Sequence, residues 1–502
     1  MRTMKRFLLG LAILAGVVAG AGGGAFWWMN RIPPQLREPN YFTAFKSQDT
    51  TPSGKVAIFV SGLIMPETFR LEDFYNLALK PAQYIPWPIR NIAMADRGVV
   101  LLDTEKFYET KPFTPTNLMD AYGNTRDVDG VSYVEKFHAS ALTWVPPSPT
   151  QHADHGYFLM TSRKGGMPNP AQKLATKARI FYYGKGKGFA SGRVPHEAGE
   201  WALVKGAMDK IEAKYGPIPY RFVSAETPAT ARKYVRELLD AGAETIVFAP
   251  PRPIYSHHEE FNGAIKHTMH YIHEWESENG KKIKFIVTPQ LGEFPVMKEA
   301  FLAMLRDRLA TFPDGAKVKV VVSVHGMAWD KVPHEAWIEL APAYRDGMVE
   351  AVKNELAGRK FSKTEVVQAQ DHFADPHNNP DGKYLSTNKG FLDGVRDGFD
   401  YVVNLPIEFF AENTDTMFSH AMYNFEGFPG YDVYETIDYS DWSVPYTRTF
   451  KIENTELIYN GLPVGKYNAP IIEAYAEAVD SVLAKSLKPK SQVAAAEPGP
   501  RP

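Results

Sequence analysis

The chain contains no cysteine in 502 residues. That excludes disulfides, thiol nucleophiles, cysteine-held iron–sulfur clusters and zinc ribbons, so any metal must be held by His, carboxylate, amide or backbone oxygen. An excess of either charge is missing too. Lys and Arg number 56 against 58 Asp and Glu, a formal net charge of −2, without the basic footprint of a dedicated nucleic-acid binder. No Gly-x-Ser-x-Gly elbow is present, so a serine hydrolase has no support. Gly184-Lys185-Gly186-Lys187-Gly188 looks like a phosphate loop but lacks the Gly-Lys-Ser/Thr ending and a strand–helix context; it reads as a flexible basic loop. What is present is apolar: 44% hydrophobic and 13% aromatic residues can fill a large core and do not suit a disordered scaffold. The length allows about three domains, or two large ones with appendages.

Residues 7–29 are uncharged and match the roughly 20 residues that cross a bilayer. Arg2, Lys5 and Arg6 precede them, and Trp27 and Trp28 suit the membrane interface at their end. A retained transmembrane helix is expected; the alternative is a cleaved signal peptide using Ala19 and Ala21. Ala12, Gly16, Gly20 and Gly24 recur every four residues and offer a small-residue face to a partner helix. Basic residues before the span put the N-terminus inside and the bulk of the chain on the periplasmic, extracytoplasmic side. Arg31 and Arg37 pull the other way and leave the cytoplasmic side open. Residues 31–54 read as a tether and 487–502 as a disordered tail.

Between these ends, short apolar runs alternate with amphipathic stretches. Strands are expected at 56–61, 157–161, 220–224, 245–249, 283–288, 318–324, 365–370 and 401–406. Helices are expected at 230–241, 259–276, 295–311, 335–357, 389–396, 412–421 and 469–483, the last packing back on an earlier domain. Apolar strands followed by helices predict an α/β protein of two doubly wound, Rossmann-like parallel-sheet halves, divided as 55–245, with insertions, and 246–486. In such sheets ligands sit at the carboxyl ends of the strands.

Four strand regions carry candidate chemistry. The run 318–324 delivers His325, next to Gly326, to a strand tip. The run 401–406 leads into Pro406-Ile407-Glu408-Phe409-Phe410-Ala411-Glu412-Asn413-Thr414-Asp415-Thr416; a helix opening at Glu412 would align Glu412, Asp415 and Ser419 on one face. Acidic residues there are equally the ordinary complement of a helix N-terminus. The run 245–249 exits through Pro250-Pro251-Arg252-Pro253-Ile254-Tyr255-Ser256, and the run 220–224 carries Arg221.

These segments, in this order, resemble the ferrochelatase family, with its Pro-x-x-Pro-x-Tyr-Ser loop, Ser-x-His-Gly strand end and late Pro-Ile-x-Phe segment before an acidic helix. The resemblance spans about 221–421 well and 55–84 weakly. It implies a tetrapyrrole chelatase in which His325 works at the pyrrole nitrogens and binds metal, and Asp415 with Glu412 guides metal and protons. Arg221, Tyr255 and Ser256 would position the macrocycle. No resident cofactor is implied; the divalent metal, ferrous iron first, and the porphyrin are substrates. The membrane anchor and two of three departures, the Asp415 change and the missing Trp, favour a non-catalytic tetrapyrrole- or metal-binding subunit of a membrane complex as the alternative. Asp415 stands where the family has Glu, Asn413 where it has His, and no Trp answers the family's pocket Trp within 368–383. A cobalt or nickel chelatase for a non-porphyrin tetrapyrrole is the second alternative.

Such chemistry has clear demands. Two pyrrole N–H protons must leave while a hydrated cation sheds water; a neutral imidazole and carboxylates can accept those protons and meet the metal. Histidines beyond the motifs offer further ligands. His257 and His258, before Glu259 and Glu260, are candidates for metal or propionate. His267, His270 and Glu274 share an exposed helix face that could bind metal or simply be solvated. Residues 371–382, rich in Asp, His and Asn, lack EF-hand spacing and read as a surface turn or a metal-delivery loop. His152-Ala153-Asp154-His155 reads as structural.

Overall fold

The structure is a computed structural model that describes residues 41–62, 98–102, 115–120, 125–127, 142–145, 156–160, 196–223, 228–256, 260–261, 264–325, 335–371, 384–413, 415–431, 437, 439 and 441–491. The described residues fall into two compact units. One gathers five strands from between 98 and 160; the other holds residues 41–62 and everything from 196 onward.

The first unit contains β2 (Gly98–Leu102), β3 (Pro115–Asp120), β4 (Thr125–Asp127), β5 (Leu142–Val145) and β6 (Gly156–Met160), in the order β4-β3-β2-β6-β5. Every pairing in it is antiparallel. The run at 157–161 was expected in a parallel sheet. It is a strand, but it pairs with β2 and β5 in this separate antiparallel sheet.

The second unit carries two parallel sheets. In the smaller, the order is β7-β1-β8-β9, with β1 (Val56–Ser61) central between β7 (Tyr220–Val223) and β8 (Thr245–Phe248), and β9 (Lys284–Val287) outside β8. All six residues of β1 are buried. This fits its unbroken run Val-Ala-Ile-Phe-Val, since a strand covered on both faces has no place for a polar side. The division expected between 245 and 246 falls at the start of β8, whereas the sheet continues to Val287. Helices α2 (His196–Tyr215) and α3 (Pro228–Asp240) precede β7 and β8; α2 has no counterpart among the expected helices. Helix α4 (Lys266–Asn279) follows β8, and α1 (Tyr41–Lys46) packs Phe42 and Phe45 against Phe261.

The larger sheet has the order β12-β11-β10-β13-β15-β14. It is built from β10 (Lys317–Val324), β11 (Lys363–Gln370), the short β12 (Leu385–Ser386), β13 (Tyr401–Pro406) and the hairpin β14 (Arg448–Ile452)–β15 (Thr455–Tyr459). Only β14 runs antiparallel. Helices α5 (Lys298–Leu309), α6 (Glu335–Ala357) and α7 (Thr387–Arg396) connect or cover these strands. Ser386 caps α7 by accepting the Lys389 N–H at 3.1 Å. Gly394 lets α7 lie close on the sheet, for a Cβ there would meet a Val402 methyl at 2.4 Å. Helix α9 (Ala469–Leu483) packs along α2 and α5, and Tyr475 donates from its hydroxyl to the Ala249 carbonyl at 2.5 Å.

The α/β class with parallel sheets is therefore present in the second unit. Among the described residues no helix is long and apolar enough to cross a membrane; the expected span at 7–29, with Ala12, Gly16, Gly20 and Gly24, lies outside them, as do 31–40 of the tether and 492–502 of the tail, while the rest of the tether forms α1 and buries Phe42 rather than running as a free linker.

Candidate functional site at the strand tips

Register brings four strand ends of the larger sheet level with one another. Val324 pairs with Gln370, Ser323 with Pro406, and Asn404 with Tyr459. The residues that leave those tips are His325, Asp371 and the segment from Ile407 to Asn413, so the topology alone gathers them at one edge.

His325 is half-buried, and its backbone N–H donates to Glu408 Oε2 at 2.9 Å. The other oxygen of Glu408 accepts from Arg345 Nε of α6 at 2.5 Å. Both charged side chains are buried, at 7% and 3% exposure. The Arg345 guanidinium also lies 5.5 Å over the Tyr384 ring. Burial raises the Glu408 carboxyl above its ordinary range, although Arg345 and the His325 N–H oppose it.

Two rings flank the His325 imidazole. His420 is 5.1 Å away between ring centres, and Phe409 is 5.8 Å from each imidazole. His420 is buried, with Nδ1 3.1 Å from Asp371 Oδ2. The other Asp371 oxygen accepts from Thr387 Oγ1 at 2.8 Å and Asn424 Nδ2 at 3.0 Å. Burial works against the Asp371 carboxylate, yet His420 and these donors outweigh it and hold the group below the usual range.

Glu412 was expected to open a helix. Instead the helical segment begins at Asp415, as a π-helical turn over Asp415–His420 that continues into α8 (Ala421–Asn424). Asn413 caps it: the Asn413 side chain accepts the Thr416 N–H at 3.1 Å, and the Thr416 hydroxyl accepts the Asn413 N–H at 2.9 Å. Asn413 thus outcompetes Glu412 as the cap. Glu412 sits one residue earlier, with its carboxylate turned to Thr416 Oγ1 at 2.6 Å and the Tyr459 hydroxyl at 3.1 Å. Its burial is nearly complete, which pushes its pKa up to about 7 against the pull of Thr416, Tyr459, the Leu462 N–H and the charge of His420.

That elevation has a consequence for stability. The unfolded chain releases the Glu412 proton near pH 4.5, the folded chain only near 7. Between these values the native state binds the extra proton, so this group's contribution falls as pH rises and then levels off. Glu412→Gln is expected to leave thermal stability unchanged near pH 4 and to raise it above pH 7 by on the order of 2–3 kcal/mol, checked by melting curves across that range.

The other expected site residues are dispersed. The backbone of Asp415 starts the π-helical turn, while its side chain, like all of His257 and His258, lies outside the described residues. Tyr255 is wholly buried, with its hydroxyl on Thr288 Oγ1 at 3.1 Å and its ring edge-on to Phe45 and Phe261. It is a core residue and does not face a macrocycle. Ser256 is also buried; its N–H and hydroxyl donate to Glu260 Oε2 at 2.7 and 2.9 Å. Glu260 and Glu200 of α2 in turn flank Arg252, each at 3.4 Å, so the proline-rich loop is tied down by buried charge. Arg221 lies on edge strand β7 of the smaller sheet and donates to Glu237 of α3 at 2.8 Å. The polar groups of Arg221, Tyr255 and Ser256 are satisfied within the smaller sheet and its loops.

On α4, His270 pairs with Glu274 at 3.2 Å and Glu274 with Arg232 at 2.7 Å; this is a solvated ion-pair face. Residues 152–155, 184–188 and 372–383 lie outside the described residues. Among the described residues no three His, Asp or Glu side chains converge as a ready-made metal cage.

Sequence reasoning passed over Glu408, Arg345 and His420, and took Asp371 only as part of a ligand-rich loop. Asp371 had one legible signal: it directly follows the strand expected at 365–370, as His325 follows that at 318–324. His420 had none, since its meeting with Asp371 depends on where α8 docks.

No family model matches the chain, and no curated protein matches it. Solved structures do match, at low similarity. SirB from Bacillus subtilis with Fe3+ is 13% identical over 58% of this chain and 90% of that chain, with a TM-score of 0.34. The Caulobacter myo-inositol binding protein bound to myo-inositol is 14% identical over 60% and 92%, with a TM-score of 0.21. The anabolic ornithine carbamoyltransferase from Campylobacter jejuni subsp. jejuni is 10% identical over 57% and 80%, with a TM-score of 0.17. All three lie below the similarity at which a shared fold is argued, and the reading below stands on this chain's own residues.

Proposed function

We propose that the protein inserts a divalent metal, ferrous iron first, into a porphyrin. One observation carries this reading most: a half-buried imidazole at a parallel-strand tip, His325, on the same edge as a buried carboxyl, Glu412, poised near neutrality. The motif order that resembles the ferrochelatases supports it. In the reaction a neutral porphyrin takes up a dication and gives up two pyrrole protons. His325 takes one of them; Glu412, once ionised, takes the other, directly or through water. Phe409, buried beside His325, backs the imidazole with an apolar wall. The anchor expected at 7–29 belongs to the same proposal: it would keep the protein where a hydrophobic macrocycle partitions.

The non-catalytic reading, a tetrapyrrole- or metal-binding subunit, is favoured by a separate observation. Tyr255 is buried and Arg221 is paired to Glu237, which removes two contacts a substrate would use. A cobalt or nickel chelatase shares the same chemistry, because imidazole suits those ions as well as iron.

The test is anaerobic metal insertion by the detergent-solubilised full chain. Protoporphyrin is offered with ferrous, cobalt, nickel or zinc ions and followed by absorbance. Turnover is expected to rise with pH through about 7, as Glu412 loses its proton, and to lose that rise in Glu412→Gln. Porphyrin binding with no turnover for any ion would overturn insertion and leave the binding subunit.

A further inference from the structure

His420 belongs to none of the motifs that carry the chelatase resemblance, yet its ring is the nearest imidazole described beside His325. We propose that His325 and His420 bind the incoming divalent metal together, with Asp371 holding the His420 ring so that Nε2 meets the ion. The proposal rests on the metal-handling reading of these strand tips and deepens it by naming the metal's protein contacts.

The ring spacing carries the argument. A metal–nitrogen bond of about 2.0–2.1 Å places each ring centre roughly 3.2 Å from the ion, so two imidazoles sharing a tetrahedral ion have centres roughly 5 Å apart. The observed separation is 5.1 Å, with the rings inclined at 61°. Asp371 lies 3.1 Å from His420 Nδ1. This is the carboxylate–histidine arrangement that fixes a ligand's tautomer and ring orientation and leaves the other nitrogen for the metal. Asp371 is itself fixed by Thr387 and Asn424. The pair is therefore built as an oriented ligand rather than as a lone core histidine. Phe409 closes one side of both rings.

The probe is Cu2+, added below one equivalent to the full chain in detergent, with electron paramagnetic resonance used to count strongly coupled nitrogens. Two are expected in the wild type, and one in His325→Ala and in His420→Gln, each variant binding about 10–100-fold more weakly. Asp371→Asn is expected to keep both nitrogens while losing about 10–100-fold in affinity. His420 and Asp371 are buried, so circular-dichroism melts accompany their variants; His325→Ala, at a half-buried tip, carries the test if they fail to fold. A wild-type signal with one nitrogen, or a signal untouched by His325→Ala, overturns the shared site. The two proposals fail separately: a two-nitrogen signal without turnover on any porphyrin sinks insertion alone, and turnover with a one-nitrogen signal sinks the shared site alone.

Discussion

With His325 replaced by alanine, metal insertion is expected to slow by roughly 10²–10⁴-fold, the range lost with a positioned proton-transfer group. Porphyrin binding, followed by fluorescence quenching, should change little. The substitution is clean for a structural reason. Glu408 accepts the backbone N–H of this residue, so alanine keeps the bond that fixes the strand tip. The loss should therefore fall on turnover rather than on melting temperature. A variant that melts normally and still inserts metal at the wild-type rate would remove His325 from the chemistry.

The second large effect is on folding. Arg345 and Glu408 form a buried ion pair whose Nε···Oε1 distance is 2.5 Å. Removing Arg345 leaves the Glu408 carboxylate without its counter-charge in a desolvated place, a change that costs about 3–5 kcal/mol. Arg345→Ala is expected to lower the melting temperature by roughly 4–7 °C at neutral pH. Burial already raises the Glu408 carboxyl, so without the guanidinium it should protonate readily, and the penalty should shrink as pH falls. The double variant Arg345→Met with Glu408→Leu should recover most of the loss, because an apolar pair of similar volume needs no charge compensation. A single-variant melt equal to wild type would show that the pair contributes nothing.

The centre of the larger sheet was legible because β10 and β13 are doubly buried. Runs such as Val318-Lys319-Val320-Val321-Val322 and Tyr401-Val402-Val403 admit few other readings, and a polar residue at the end of such a run, His325, declares itself as a tip. The β14–β15 hairpin was overlooked although Glu453-Asn454 sits between alternating segments. Glu453 adopts φ 54°, the left-handed geometry of a tight hairpin turn. Tyr255 misled for another reason: an aromatic in a proline-rich exit loop can point to a ligand or into the core, and one of the rings that pack on it, Phe45, comes from a distant segment. The Asp371–His420 pair was illegible on the same ground. One member leaves β11 and the other ends a π-helical turn, and no local spacing links them.

The place of β1 in its sheet bears on how the chain is made. It is the central strand of the smaller sheet, yet both its neighbours, β7 and β8, begin about 160 or more residues later. At about 5–20 residues per second, a ribosome needs roughly 8–30 s to supply the first of them. For that interval Val56-Ala57-Ile58-Phe59-Val60, which the finished protein buries on both sides, has no native partner. A nascent segment of this kind is a natural client for a holding chaperone, and it makes synthesis speed a determinant of yield. A circular permutant that starts at residue 196 and runs through 502 into 1–195 would deliver β7 and β8 before β1 and remove the wait, and should raise the soluble fraction without altering the mature sheet.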